Sequence, residues 1–334
     1  MATIGDVARH AGVSRSTVSH ALSGKRPISL ATRERINEAI ATLNFTPNAG
    51  AKALATSKSS IMGLIVPFTP EEFAPATMQY VLVVSETARS LGYDVLMVTE
   101  VDGARGITRV TDSNLVDGVL LLDVKRHDDR VGSVLDAHQP GVLVGYAEGN
   151  AELDSVDLDF AAAGRMLVRH LFDLGHRSVI FITFPEELFA QDVGFAWRFR
   201  DAVVSTADEL GLALTTVHGA TDPAARYKVV GEALDLHPAA TALLVHNEGA
   251  LVDLPMLLAE RKRSVPEDLS VVSVFPDQFG GMFSLPYTAI EASPKPVAAR
   301  AVQMLAARIA DADRPVVSEL LEPVLIDRGS SRAI

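Results

Sequence analysis

The sequence predicts a small all-α head followed by a larger α/β body, and three observations carry that prediction. The first sixty residues pattern as short helices around a few apolar positions. From Ile61 onward, continuous apolar runs of the kind found in buried parallel strands alternate with helical stretches. Charge divides at the same point: residues 1–60 hold eight Lys or Arg against three Asp or Glu, a net of +5, whereas the rest of the chain carries −17. A basic head on an acidic body suits a protein whose front end meets an anion and whose bulk does not. With 334 residues the chain is long enough for two or three core-bearing units.

In the head, Thr3 followed by Asp6 forms a capping-box pattern with Asp in the Glu position, opening a helix of about seven residues through His10. Ala11-Gly12-Val13 breaks it. Ser14 is a suitable N-cap for a second helix running to about Leu22, which Gly24 and Pro27 stop. A third helix begins near Ser29 and spaces Ile36, Ala39, Ile40 and Leu43 along one face. Val7, Ala8, Val18, Leu22, Ile36, Ile40 and Leu43 are the expected core, with Ala8 and Gly12 small where helices approach. In "VSRSTVSHAL", Arg15, Ser16, Ser19 and His20 fall on one side and Val18, Ala21 and Leu22 on the other. Two helices joined by a Gly-containing turn, the second exposing short donors and an Arg, is the helix-turn-helix pattern. An ordinary amphipathic surface helix would show the same two faces; the basic surplus favours nucleic acid.

Residues 46–60, "TPNAGAKALATSKSS", are too rich in Ala, Gly and Ser to bury a core, and composition alone describes a flexible tether. In the body, "IMGLIVPF", "YDVLMVT", "VDGVLLLD", "PGVLVG", "SVIFIT", "TALLVHN" and "LSVVSVF" are bounded by Gly, Pro and Asp with helical stretches between. That alternation implies parallel sheets covered on both faces.

Several classes are disfavoured. No apolar run approaches the ~18 to 20 residues of a membrane span, and "MATIGDVARH" lacks the apolar centre of a secretory signal, so a cytoplasmic location is expected. The chain has no cysteine, which excludes disulfides, thiolate metal sites and a cysteine nucleophile. G-x-S-x-G, P-loop, G-x-G-x-x-G and H-E-x-x-H patterns are absent. His170 and His176 do not share one helical face and lack a third ligand, and His127-Asp128-Asp129 suits a solvated helix start better than a cation site. No enzymatic activity, cofactor or metal is expected.

"TIGDVARHAGVSRSTVSHALSGK", "ATRERINEAIATLNFTPNAGAKALAT" and "IMGLIVP" resemble, in order, the N-terminus of the lactose/galactose repressor (LacI/GalR) family of bacterial transcription regulators. The resemblance continues in "VDGVLLL", "VDLDFAAAGRMLVRHLFDLGHRSVIFI", "TALLVHNE", "VPEDLSVVSV" and "LPYTAIEA", so it spans nearly the whole chain. It implies a helix-turn-helix domain at 1–45, a hinge at 46–60 and a periplasmic-binding-protein-like body of two parallel-sheet subdomains at 61–334. The first subdomain would hold about 61–159 and 291–320, the second about 160–290 and 321–334, with a ligand cleft at strand C-terminal ends that closes by a hinge motion.

The same resemblance implies that Arg15, Ser16 and His20 meet base edges in the major groove, with Thr3, Thr17 and Ser19 as further DNA contacts. Many relatives carry Arg where this chain has His20. Residues Asn48 to Ala55, including Ala51, would form a hinge helix in the minor groove with Leu54 wedged between base pairs. A homodimer on a pseudo-palindromic operator is expected, and no apolar heptad tail follows "RGSSRAI" to suggest a tetramer. For the effector, the resemblance points to Phe73, as a stacking aromatic or a core residue, and to Asn247, as a ligand contact or a loop tie. An effector-binding Arg of the family falls on Phe195 and an Asp on Phe275, with Arg198 and Asp277 close enough to compensate. Two phenyl rings in place of charge-capable groups make a simple hexose a poor fit and a less polar or aromatic effector the expectation. The alternatives are a cleft that has lost small-molecule sensing and answers to a protein partner, or a free-standing solute-binding protein. The latter would need an export signal and no basic head.

Overall fold

The computed structural model describes residues 2–23, 27–45, 58–66, 74–100 and 102–334. The head contains α1 (Ile4–Ala11), α2 (Arg15–Ser23) and α3 (Leu30–Thr42). Thr3 Oγ1 accepts from the Asp6 amide, and the Asp6 carboxylate accepts from the Thr3 amide at 2.9 Å and hydroxyl at 2.7 Å. These bonds from Thr3 hold the Asp6 carboxyl below the usual carboxylate range. Ser14 Oγ accepts from the Thr17 amide at 3.0 Å and caps α2, while Ser29 caps α3.

Val7, Ala8, Ala11, Val18, Ile36 and Ala39 form the buried centre of the head. Leu22, Ile40 and Leu43, expected in that core, lie half-buried at its rim, because three short helices enclose too little volume for every apolar side chain. Gly12 also departs from expectation. It stands at φ 64, closing α1 in the left-handed region, and a Cβ there would approach nothing closer than Arg35 Nη1 at 4.0 Å. Its backbone conformation, not helix contact, requires the glycine.

Among the described residues the body holds two six-stranded sheets. The first has the order β11-β5-β4-β3-β1-β2, all parallel, from β1 (Ile61–Ile65), β2 (Asp94–Val98), β3 (Gly118–Leu121), β4 (Gly141–Val144), β5 (Asp154–Leu158) and β11 (Ser318–Leu321). Successive strand residues face opposite sides, so Leu64, Leu120 and Val142 pack with α4 (Ala74–Ser90) and α12 (Pro294–Ala310). Ile65, Leu121 and Leu143 pack with α5 (Gly103–Asp112) and α6 (Arg130–Leu135).

The second sheet has the order β12-β10-β9-β8-β6-β7, from β6 (Ser178–Thr183), β7 (Ala213–His218), β8 (Ala242–Val245), β9 (Ser270–Phe275), β10 (Thr288–Glu291) and β12 (Leu325–Ile326), and β12 alone runs antiparallel. Helices α7 (Phe160–Asp173) and α9 (Gly194–Glu209) cover one face, α10 (Pro223–Leu236) and α11 (Glu248–Glu260) the other. Short α8 (Glu186–Ala190) precedes α9. The chain crosses between the sheets after β5, after β10 and after β11. Among the described residues no helix is long and apolar enough to cross a membrane.

The solvated helix start expected at 127–129 is corrected at its middle residue. Asp128 is buried, accepting from Arg130 Nε at 2.9 Å and Nη2 at 2.7 Å and from the Lys125 amide at 3.0 Å. Arg130 in turn donates to the Leu122 and Asp123 carbonyls. The turn after β3 would otherwise bury unsatisfied carbonyls, and Asp128 neutralises the guanidinium that serves them.

Candidate functional site

Two places converge chemistry-bearing residues: one face of α2 and the cleft between the sheets. On α2, Arg15 and Ser16 are exposed and Thr17, Ser19 and His20 half-buried. Ser14 Oγ lies 2.7 Å from Ser16 Oγ and 2.8 Å from Thr17 Oγ1, so the cap also positions two hydroxyls of the polar face. The Arg15 guanidinium lies across Gly5, where a Cβ would stand 2.8 Å from Nη2. Thr3 is exposed and spends its hydroxyl on the cap of α1. Asn48, Ala51, Leu54, Ala55 and Phe73 lie outside the described residues.

The cleft follows from topology. Parallel strands end on one edge, so the C-terminal ends of the two sheets face each other across the crossovers and leave a cavity of about 170 Å³ between them. Tyr80, Asp123 and Asp157 line it from the first subdomain, and Phe160, Phe184, Phe195, His246, Glu248 and Phe275 from the second. His246 is the centre of an aromatic wall: ring centroids lie at 4.2 Å for Phe199, 4.5 Å for Phe184, 6.0 Å for Phe195 and 6.2 Å for Phe160. It is 3% exposed, and burial pulls its imidazole down to about 3. At neutral pH it is therefore an uncharged aromatic.

Arg198 on α9 pairs with Asp157 on β5, joining the two subdomains beneath the cavity. Burial pushes the Asp157 carboxyl up, and the guanidinium pulls it only part of the way back. The Glu248 carboxyl, at the first residue of α11, is pushed up to about 7 by burial. Tyr80 is pushed up by burial and by the charges of Asp157 and Asp123.

A clasp closes the rim. Asp192 accepts from Arg126 Nε at 2.7 Å and from the His127 amide at 3.1 Å, and its carbonyl accepts from the Arg126 amide at 2.9 Å. The Gly194 amide donates to the Val124 carbonyl, and a Cβ at Gly194 would meet that oxygen at 3.0 Å and the Tyr146 oxygen at 3.1 Å. Arg126 also stacks over Trp197 at 4.1 Å. Asp192→Ala is expected to weaken closure by about 1 kcal/mol, roughly fivefold in the open-to-closed ratio. Small-angle scattering would register a larger radius of gyration while circular dichroism stays unchanged, and an identical scattering curve would refute the clasp.

Of the residues anticipated for the effector, Phe195 and Phe275 line the cavity and Arg198 lies directly behind Asp157. Asn247 and Asp277 are not brought there. Asn247 Oδ1 accepts from the Ala250 amide at 3.2 Å to cap α11, so its flanking residues His246 and Glu248 face the cavity instead. Asp277 accepts from Arg328 Nη2 at 2.5 Å near the surface. His246, Glu248, Asp123 and Phe184 were open to detection as residues at or just beyond the ends of apolar runs; Phe160 and Tyr80 had no such marker. His170 and His176 bond to Ser331 and Thr241 respectively, and among the described residues no three His, Asp or Glu side chains converge as metal ligands.

Comparison with known proteins adds the following. Residues 3–48 match the model for bacterial regulatory proteins of the lacI family, and residues 168–331 match a periplasmic binding protein-like domain. Similar curated proteins include the HTH-type transcriptional repressor PurR of Glaesserella parasuis, 26% identical with 99% of each chain covered. PurR of Haemophilus influenzae is 27% identical with both chains covered in full. Among solved structures, the lac repressor dimer bound to operator and the anti-inducer ONPF superposes with a TM-score of 0.83 at 22% identity over 99% of each chain. A CelR–cellobiose complex gives 0.68 at 24% identity, covering 99% of this chain and all of the other.

Proposed function

Because the chain belongs to the lacI family of bacterial regulatory proteins, we propose that it is a cytoplasmic, non-enzymatic transcriptional repressor. It binds a pseudo-palindromic operator as a homodimer and takes its orders from a small molecule in the cleft. The observation that carries this reading is the capped α2 with Arg15, Ser16, Thr17, Ser19 and His20 on its outer face, in a head whose net charge opposes that of the body. Arg15 can donate two hydrogen bonds to guanine O6 and N7, and Ser16 and His20 suit several base edges. The resemblance assigns Asn48 to Ala55, which lie outside the described residues, to the minor-groove hinge with Leu54 as wedge, the cost of kinking the duplex being recovered through added contacts.

Two such heads are needed for one operator. Exposed Met78 and Leu82 on α4, with Met97 on β2, offer apolar surface for pairing. Control is a coupling of equilibria: an effector that prefers the closed cleft biases the subdomain arrangement, and with it the spacing of the two hinges. The enclosed, aromatic cavity favours a small molecule over a protein partner as the effector.

Selection of genomic fragments by the purified protein, followed by binding measurements on the recovered sites, tests this. Operator affinity is expected to fall by about a thousandfold or more between roughly 50 and 200 mM salt, through displaced counterions. A salt-independent affinity would rule out the basic head as the reader. Arg15→Ala is expected to cost about 1–3 kcal/mol of specific affinity with thermal stability unchanged; equal binding by the variant would remove Arg15 from the interface.

A further inference from the structure

The cavity carries an unusual combination of groups. Its wall from the second subdomain is aromatic, with Phe160 and Phe195 centroids 5.2 Å apart and Phe184 edge-on to Phe195 at 5.8 Å. Its titratable lining is acidic: Asp123, Asp157 and Glu248, with no Lys or Arg among the lining residues. Arg198, which is not among the lining residues, pairs with Asp157 through Nη2 while its Nε and Nη1 have no hydrogen-bond partner among the described residues, and His246 is neutral. Asp123 and Glu248 therefore face the cavity with no cation among its lining residues, and for Glu248 burial makes the charged form costly. The His246 Nδ1 is a further orphan, with no hydrogen-bond partner among the described residues although the side chain is almost wholly buried.

We infer that the cavity takes a single-ring aromatic cation, its ring held among Phe160, Phe184 and Phe195 and its positive group between Asp123 and Glu248. This deepens the effector reading above and rests on it. The size agrees, since a cavity of about 150 Å³ accommodates one benzene and this one measures about 170 Å³. The charge agrees as well: a cation is attracted to ring faces and to carboxylates alike, whereas a carboxylate or phosphate ligand would meet two acids and no base. An N–H of an amidinium group also suits the orphaned imidazole nitrogen. Burial already pushes the Glu248 carboxyl up to about 7, the response of an acid enclosed without a counter-charge.

Calorimetric titration of the full-length protein with benzamidine, benzyl alcohol and benzoate tests the inference. Benzamidine is expected to bind about tenfold or more tightly than benzyl alcohol, with benzoate weakest. Glu248→Gln is expected to lower benzamidine affinity about tenfold and benzyl alcohol affinity less than twofold, a charge-specific change that misfolding cannot mimic. Phe195→Ala lowers affinity for both. Benzoate binding as well as benzamidine, an unaltered preference in Glu248→Gln, or no binding of any probe would each overturn the ligand class. Operator binding measured on the same preparation separates the two levels. If operator is bound while the probe series fails, only the ligand class falls; if no genomic fragment is retained, the repressor reading falls with it.

Discussion

Arg198→Leu is expected to cost about 3–5 kcal/mol of stability, out of a total of about 5–15 for a typical folded domain. Asp157 is 6% exposed on β5, and burial already holds its carboxyl above the ordinary range with the guanidinium in place. Removing Arg198 leaves that carboxylate to ionise alone. The folded-state pKa then rises further above the unfolded one, so the penalty grows as pH rises and shrinks when acid protonates the group. Replacing Asp157 and Arg198 together by leucine is expected to restore most of the loss, because the buried charge disappears with its partner. Urea denaturation of the parent and the two variants checks this, and a single variant as stable as the parent would show that the pair contributes nothing. The pair also joins strand β5 of one subdomain to helix α9 of the other, so the single variant should loosen the cleft before it unfolds either sheet.

Acidification from neutral pH is expected to remove the stability that the buried histidines contribute, while Glu248, whose carboxyl burial holds up to about 7, gains stability over the same range. His246 is held down to about 3, and His176 and His170 are also held below their ordinary range by burial. An unfolded imidazole titrates near 6.5. For a depressed histidine the unfolded state binds the proton first, so its contribution is complete above about 6.5 and shrinks as pH falls toward the folded value. His246 alone is expected to remove about 2 kcal/mol between pH values of roughly 6.5 and 4.5. His246→Phe retains an aromatic ring beside Phe184 and Phe199 but has no proton to gain, so its stability relative to the parent should rise as pH falls through that window. An equal acid loss in the variant would refute the assignment. Carboxylates held down by partners, such as Asp128 beside Arg130 and Asp192 beside Arg126, lose their contributions at lower pH, where they protonate.

Local pattern carried the head and the layers. Thr3 with Asp6, Ser14 before Arg15 and Ser29 before Leu30 are caps legible within four residues, because a cap satisfies amides of its own first turn. Continuous runs such as "VDGVLLLD" and "SVIFIT" mark strands buried on both faces, because helices cover both sides of a parallel sheet. The site was legible only where it followed such a run. Phe195 and Phe275 were placed by resemblance, and both reach the cavity. Asn247 was placed by the same resemblance and turns away, since its carboxamide serves the exposed amides at the start of α11. Asp128 lay in a polar triplet typical of solvent, and its burial depends on Arg130 reaching back to carbonyls of a turn whose shape no local pattern specifies.

Taken alone, the order of residues determined a basic three-helix head and an acidic body of parallel sheets, because periodicity, capping and charge act over a few residues at a time. The tertiary structure alone decided the cleft. Asp157 and Arg198 stand 41 residues apart in the chain, and the aromatic wall draws Phe160, Phe184, Phe195 and His246 from four separate segments. Which of these ends meet is set by the three crossings between the sheets, and the desolvation that makes His246 neutral and leaves Glu248 reluctant to ionise exists only once they have met.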